Sequence, residues 1–280
     1  PVFDPSSPEE AFEMIQQAFE FSERYNTPVL LRPTTRVDHG YASMEIPELP
    51  KVKKIEGFEK DTSRWVIFPR TSFLNHKRIF ERNEFILPSE FSKSKFNFIE
   101  NKIPGSKKGI VASGVSYCYV KEALEILGEK NIPVLKIGTP YPFPSELAKN
   151  FLADAEEVLV IEELDPVIEN ELLKLCGKNH LENKIRGKLT KEIPEAGEYS
   201  VEIAKQAIAK FLGLELSENK IEFPPLPVRP PVLCAGCPHR ASFYAVKQAM
   251  KGEKTVYCGD IGCYTLGNAK PLDMCDTCLC

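Results

Sequence analysis

KGIVASGVSYCYVKEALEILGEKNIPVLKIG, residues 108–138, decides the fold. Its first apolar run, Gly109-Ile110-Val111-Ala112, is short and unbroken by polar residues, which is the pattern of a strand buried on both faces. A helix is predicted from Ser116 to Leu127, closed by Gly128, and a second strand over Val134-Leu135-Lys136-Ile137. Two parallel strands need a crossover of about a dozen residues between them, and the intervening helix supplies it. The alternation then continues. A helix is predicted from Ser145 to Leu152, a strand over Val158-Leu159-Val160-Ile161, and a helix from Pro166 to Leu175 closing near Gly177. A weaker strand follows at Ile185 to Leu189, then an amphipathic helix from Val201 to Leu212. Strict alternation of this kind implies an α/β fold with a mostly parallel sheet covered on both faces, assigned here to residues 108–220.

Upstream, Ser7-Pro8-Glu9-Glu10 reads as a helix start, with a capping serine, proline at the first helical position and a glutamate three residues after the cap. After the break at Asn26-Thr27-Pro28, Val29-Leu30-Leu31 reads as a buried strand. One helix and one strand cannot enclose a core, so residues 1–43 are read as the end of a larger sheet domain. Residues 44–107 form a connector around Trp65-Val66-Ile67-Phe68-Pro69, with a polar helical stretch from Ser72 to Asn101 interrupted at Pro88. Downstream, Pro224-Pro225-Leu226-Pro227-Val228-Arg229-Pro230-Pro231 admits neither helix nor central strand and reads as a stiff tether. Residues 221–280 then open a new α/β domain, with a helix reaching Lys251 and a strand at Thr255 to Tyr257. Because the chain starts on Pro1 and stops on Cys280 inside a cysteine cluster, it is read as a fragment.

The 280 residues are 42% hydrophobic and 27% charged with a net charge of −4. That is a soluble composition without the concentrated positive field nucleic acid demands. No apolar run approaches the roughly 20 residues of a membrane span, and the N-terminal residues carry no signal-peptide pattern, so the expected compartment is the cytoplasm. Seven of the nine cysteines fall between Cys234 and Cys280. A cysteine-poor body with a thiol-rich end points to metal or redox use in a reducing compartment, not to a disulfide scaffold.

Cys234 and Cys237 form a CxxC loop, which serves equally as a soft-metal clamp or a dithiol redox pair. Cys263 adds a third thiol on the glycine-flanked loop Gly259-Asp260-Ile261-Gly262-Cys263, where backbone can approach an inorganic cluster or a diphosphate closely. Cys275, Cys278 and Cys280 offer a second clamp. Cys118 and Cys176 sit on predicted helices among apolar residues and are expected in the core. His239 and Arg240 bring a neutral-pH titrating group and a fixed cation to the CxxC loop, suited to an anionic ligand or to helix capping and surface pairing. Asp260 is a candidate for positioning a metal bound to a diphosphate. Arg32, Arg36 and His39 follow a strand at its carboxyl end, where open parallel sheets place ligands. Glu162, Glu163 and Asp165 read as charge favouring a helix N-terminus. No Ser-His-Asp order, Walker loop or Rossmann GxGxxG is present.

CAGCPHR at 234–240, GDIGCYTLG at 259–267 and DMCDTCLC at 273–280 together resemble the opening of the thiamine-diphosphate domain of the 2-oxoacid:ferredoxin oxidoreductases, in the α subunits of the indolepyruvate branch. PVFDPSSPEEAFEM and PVLLRPTTRVDHG resemble the end of that subunit's pyrimidine-binding domain, while ASGVSYCYVKEAL, LKIGTPYPFP and VLVIEELDPVIENEL resemble its transketolase C-terminal-like domain. The resemblance implies a transketolase C-terminal-like domain flanked by partial thiamine-diphosphate-binding-fold domains. It implies oxidative decarboxylation of an aryl 2-oxoacid with thiamine diphosphate and Mg2+, coenzyme A taking the acyl group and ferredoxin taking electrons through 4Fe-4S clusters, in concert with a β subunit. It makes Cys234, Cys237 and Cys263 cluster ligands, with the fourth beyond Cys280, and sets His239, Arg240, Gly259, Asp260 and Gly262 at the cofactor. Since Gly-Asp-Ile-Gly departs from the metal-binding Gly-Asp-Gly pattern and other family parts are absent, this piece alone is expected to be inactive. The reading of a different class is a non-catalytic subunit-interface module whose thiol-rich end holds structural zinc or a thiol cluster.

Overall fold

A computed structural model describes residues 1–46, 48, 57–216 and 224–279. The chain divides into two compact units, Pro1–Ser217 and Glu218–Cys280.

The first unit opens with β1 (Val2–Phe3), α1 (Pro8–Tyr25), β2 (Leu30–Leu31) and α2 (Thr35–Asp38). The Ser7 hydroxyl accepts from the Glu10 N–H at 3.2 Å, so the predicted cap forms. The Glu10 carboxylate reaches back one residue further than a standard capping box, with Oε2 accepting from the Ser6 N–H and Oγ at 2.7 Å each. Ser7→Ala should therefore cost about 1 kcal/mol in urea denaturation. A loss below a few tenths would mean that Glu10 alone anchors this helix end. β1 and β2 pair in parallel, and Phe3 of β1 joins Met14, Phe91 and Phe96 in a small, largely aromatic core. The strand at Val29 to Leu31 is less enclosed than its apolar sequence implied, because a two-stranded ladder covers only one side and leaves Leu30 65% exposed.

The connector contributes α3 (Thr62–Trp65), α4 (Pro69–Glu81), a π-helical turn at Arg82–Ile86 and α5 (Leu87–Ser92). The interruption expected at Pro88 is real but takes the form of this wide turn, which absorbs the hydrogen bond that a proline nitrogen cannot donate. The expected helix to Asn101 ends early. Phe98–Glu100 is a strand, β3, paired antiparallel with Val134–Lys136, so sheet pairing overrides a helical sequence pattern.

β4 (Lys108–Ser113), α6 (Gly114–Leu127), β5 (Val134–Ile137), α7 (Ser145–Leu152), β6 (Glu157–Ile161), α8 (Val167–Asn179), β7 (Lys184–Arg186) and α9 (Val201–Leu212) follow. The sheet order is β3-β5-β4-β6-β7, parallel throughout except for β3. Side chains alternate between two cores. Val111, Leu135, Ile137, Val158 and Val160 pack towards α7 and α8, while Ile110, Ala112, Val134, Leu159 and Ile161 pack towards α6 and α9. The doubly covered parallel sheet predicted from the alternation is thus present. Gly177 remains helical, and α8 is closed instead by His180 in the left-handed conformation.

In the second unit Pro224 to Val232 runs exposed with no helix or strand, as the proline spacing requires. α10 (Pro238–Ala249) and β8 (Cys258–Gly259) follow, then a 3-10 turn at Thr265–Asn268 and β9 (Thr277–Cys278). The strand expected at Thr255 to Tyr257 lies further on, at β8. The Tyr257 N–H donates to the Asp276 carboxylate at 2.8 Å, so a side chain takes the place of a ladder partner and pairing begins only at Cys258. Leu233, Phe243 and Met274 form the core of this unit.

Candidate functional site

The CxxC turn is built from the backbone outward. Gly236 takes φ +71°, a conformation open to glycine without strain, and the Cys237 N–H donates to the Cys234 carbonyl at 3.3 Å. Cys237 is the N-cap of α10 and Pro238 its first residue. Arg240 reaches back over the turn. Its Nε–H donates to the Cys234 carbonyl at 3.0 Å and its NH2 group to the Leu233 carbonyl. The guanidinium thus braces the backbone that enters the CxxC loop.

His239 joins the two cysteine loops. Its Nδ1 lies 3.3 Å from the Cys237 sulfur, and its ring meets the Tyr264 ring edge-on at 5.2 Å. Phe243 stands 6.2 Å from His239 and 6.1 Å from Tyr264, closing an aromatic trio. Tyr264 follows Cys263 directly, so the CxxC turn and the Gly259-to-Cys263 loop approach each other through rings. The thiols themselves are not drawn together. Among the described residues no group of three or more His, Cys, Asp and Glu side chains is arranged to hold a metal ion. Cys234 and Cys263 are exposed.

The glycine loop has its own constraints. Gly262 adopts φ +114°. A Cβ on Gly259 would meet the Cys275 sulfur at 3.0 Å. The Asp260 Oδ1 accepts from the Ile261 N–H at 2.8 Å and its carbonyl from the Thr265 hydroxyl at 2.9 Å. The carboxylate is folded onto its own loop, and no second acid beside it completes a metal-holding group among the described residues. By donor type the thiolates suit a soft metal or an iron–sulfur cluster. By arrangement, the described residues close neither a cluster site nor a magnesium site.

The other residues singled out in sequence have structural partners. Arg32 lies 3.7 Å from Asp4, Arg36 pairs with Glu198, and His39 ends α2 on the surface. Cys176 is buried as expected, whereas Cys118 is exposed, with its sulfur 3.4 Å from the Ser6 carbonyl. Helix α6 presents that position outward, because its buried face runs through Val115, Ser116, Val120, Ala123 and Leu124. Glu162 caps α8 as the charge pattern implied. Its carboxylate accepts from the Ile168 and Glu169 N–H groups at 2.9 Å each, and Glu163 accepts from the Tyr199 N–H at 2.8 Å. Burial pushes the Glu162 carboxyl up to about 7 against those bonds and the nearby Lys188.

Buried charges also went unread in the sequence, Asp4 and Lys188 among them. Asp4, at β1, sits against Gly114, and burial raises it to about 6 although Arg32 and Ser113 oppose this. Lys188 is buried beside Tyr199, with its ammonium depressed by desolvation. A lone aspartate before proline and a lone lysine in a loop carry no periodic signal. A cleft of about 950 Å3 in the first unit is lined by Arg24, Arg64, Arg78 and Arg82 with Tyr25 and Trp65, none of them singled out for chemistry.

These features define an α/β chain with a doubly covered, mostly parallel sheet and a separate cysteine-bearing unit. No family model matches it. Over nearly its whole length, however, the chain is a relative of the indolepyruvate oxidoreductase subunits IorA. It is 40% identical over 281 residues to that of Methanothermobacter thermautotrophicus, covering 99% of this chain and 45% of the relative. It is 42% identical over 290 residues to that of Thermococcus kodakarensis, covering 99% and 44%. A more distant relative, at 25% identity over 62% of this chain and 53% of its own length, is the 2-oxoglutarate synthase subunit KorA of Archaeoglobus fulgidus. The chain therefore spans under half the length of the IorA subunits it matches. Among solved structures, 2-oxoglutarate:ferredoxin oxidoreductase from Magnetococcus marinus aligns with 75% of this chain and 41% of its own at TM-score 0.49 and 16% identity.

Proposed function

We propose that the chain is part of a 2-oxoacid:ferredoxin oxidoreductase acting on indolepyruvate or a related aryl 2-oxoacid. In this reading coenzyme A accepts the acyl group, ferredoxin accepts the electrons and a β subunit completes a cytoplasmic enzyme. The observation that carries it is the 40% identity to an IorA subunit over a stretch that includes both cysteine loops. Among the described residues no helix is long and apolar enough to cross a membrane.

Thiamine diphosphate with Mg2+ would supply the electron sink for decarboxylation and a 4Fe-4S cluster the one-electron outlet. The described residues do not close either site, so their own work is positional. Arg240 holds the Leu233 and Cys234 carbonyls, His239 and Tyr264 fix the spacing of the two loops, and Gly259 leaves room for the Cys275 sulfur against the second loop. His239, Arg240, Gly259, Asp260 and Gly262 are accordingly proposed as the cofactor-facing set, with Cys234, Cys237 and Cys263 as metal ligands.

The test is Cys263→Ser in the full-length subunit, purified anaerobically with its β subunit. The reading expects a brown parent protein that reduces ferredoxin when given indolepyruvate and coenzyme A, and a folded variant with reduced iron content and slower ferredoxin reduction. Equal iron and equal rate in the variant would remove Cys263 from the ligand set. A colourless parent containing zinc and lacking turnover would favour the interface module instead.

A further inference from the structure

The thiols that the structure does bring together are Cys275 and Cys278. Their sulfurs lie 3.5 Å apart, whereas no such contact links Cys234, Cys237 and Cys263. The pair sits where Asp276 and Thr277 lead into β9. Cys275 is half-buried and Cys278 exposed. Each sulfur is wired to the glycine loop. The Cys275 sulfur occupies the space beside Gly259 that any larger residue would need, and the Cys278 sulfur lies 3.4 Å from the Thr265 hydroxyl, which itself bonds the Asp260 carbonyl. The position of both sulfurs is thus coupled to the backbone of Gly259 and Asp260.

We propose that Cys275 and Cys278 form a redox dithiol that closes to a disulfide by exchange with a low-molecular-weight disulfide such as oxidised glutathione. The exposed Cys278 thiolate attacks one sulfur of the small disulfide, forming a mixed disulfide and releasing one thiolate. The Cys275 thiol then gives its proton to solvent and attacks the Cys278 sulfur, expelling the second thiolate. Two electrons and two protons leave the protein, and the small disulfide becomes two thiols. The order follows from access and hydrogen bonding: Cys278 is the reachable sulfur, and the contact that Cys275 makes with it pushes the Cys275 thiol up, so Cys275 keeps its proton until the second step. Contacting sulfurs three residues apart need only small side-chain rotations to bond, and in a reducing compartment a CxxC pair of this exposure is of the reversible kind.

This inference is independent of cluster ligation, since it uses neither Cys234, Cys237 nor Cys263. The experiment treats the full-length protein with oxidised glutathione, quenches with an alkylating agent and maps the peptides by mass spectrometry. The parent should yield an intramolecular Cys275–Cys278 disulfide that dithiothreitol reopens. Cys275→Ser should instead accumulate glutathione on Cys278, and Cys278→Ser should leave Cys275 unmodified over the same interval. Iron content should be equal in the parent and both variants before oxidation. Three results would overturn the proposal: both thiols alkylated in the treated parent, Cys278 bonded to a different cysteine, or Cys275→Ser accumulating no mixed disulfide.

Discussion

Glu10→Ala should lower the folding stability of the chain by about 3–5 kcal/mol, the cost of stripping one partner from a buried ion pair. Lys136 is the one charged residue in the otherwise apolar strand Val134–Ile137, and only 3% of its side chain is exposed. Its ammonium pairs with Glu10, itself 14% exposed, and lies 5.1 Å from the Tyr117 ring and 5.6 Å from the Phe98 ring. Among the described residues no other carboxylate forms an ion pair with it. The alanine variant leaves the ammonium facing rings, which offset little of its lost solvation. It also frees the Ser6 N–H and hydroxyl that Glu10 accepts. Urea denaturation followed by circular dichroism reads the loss, and Glu10→Leu combined with Lys136→Met should recover most of it. A single-variant cost under 1 kcal/mol would show that the ammonium finds water.

That ion pair explains why some parts of the molecule are legible in sequence and others are not. The parallel sheet was legible because burial on both faces forces continuous apolar runs such as Ile110-Val111-Ala112, and crossover length leaves one reading of the gaps. β3 was not, since Phe98-Ile99-Glu100 becomes a strand only by pairing with β5, a contact that no local pattern encodes. Lys136 looks like an interruption of an apolar run until Glu10, from α1, is seen to reach it. In the second unit the motifs identified the loops but not which thiols touch. Cys234, Cys237 and Cys263 are linked by motif and Cys275 with Cys278 by geometry. Spacing alone could not separate the two sets, because CxxC has the same covalent reach in both. Cys118 was misread for a related reason: an apolar neighbourhood in sequence spans every side of a helix, and only its packing partners decide which side is covered.

The second large effect is a loss of stability as pH rises. Burial lifts Glu162 from an ordinary 4.5 to about 7, so the folded chain binds this proton more tightly than the unfolded chain does. The contribution is therefore fully present below about pH 4.5 and is lost as the pH climbs through 7. Between pH 4 and pH 8 the difference between the two affinities costs about 3 kcal/mol by linkage. Asp4, raised from 3.8 to about 6, acts with the same sign over a lower window. Glu162→Gln keeps the shape but cannot ionise, and it retains one of the two bonds to the Ile168 and Glu169 N–H groups. At low pH, where the parent carboxyl is protonated and offers one good acceptor oxygen as the amide does, the two proteins should be about equally stable. The variant's decline between pH 4 and pH 8 should be shallower, so that it is the more stable of the two at pH 8. Parallel curves over that range would mean that the paired N–H groups and Lys188 outweigh burial and hold the Glu162 carboxyl ionised at its ordinary value.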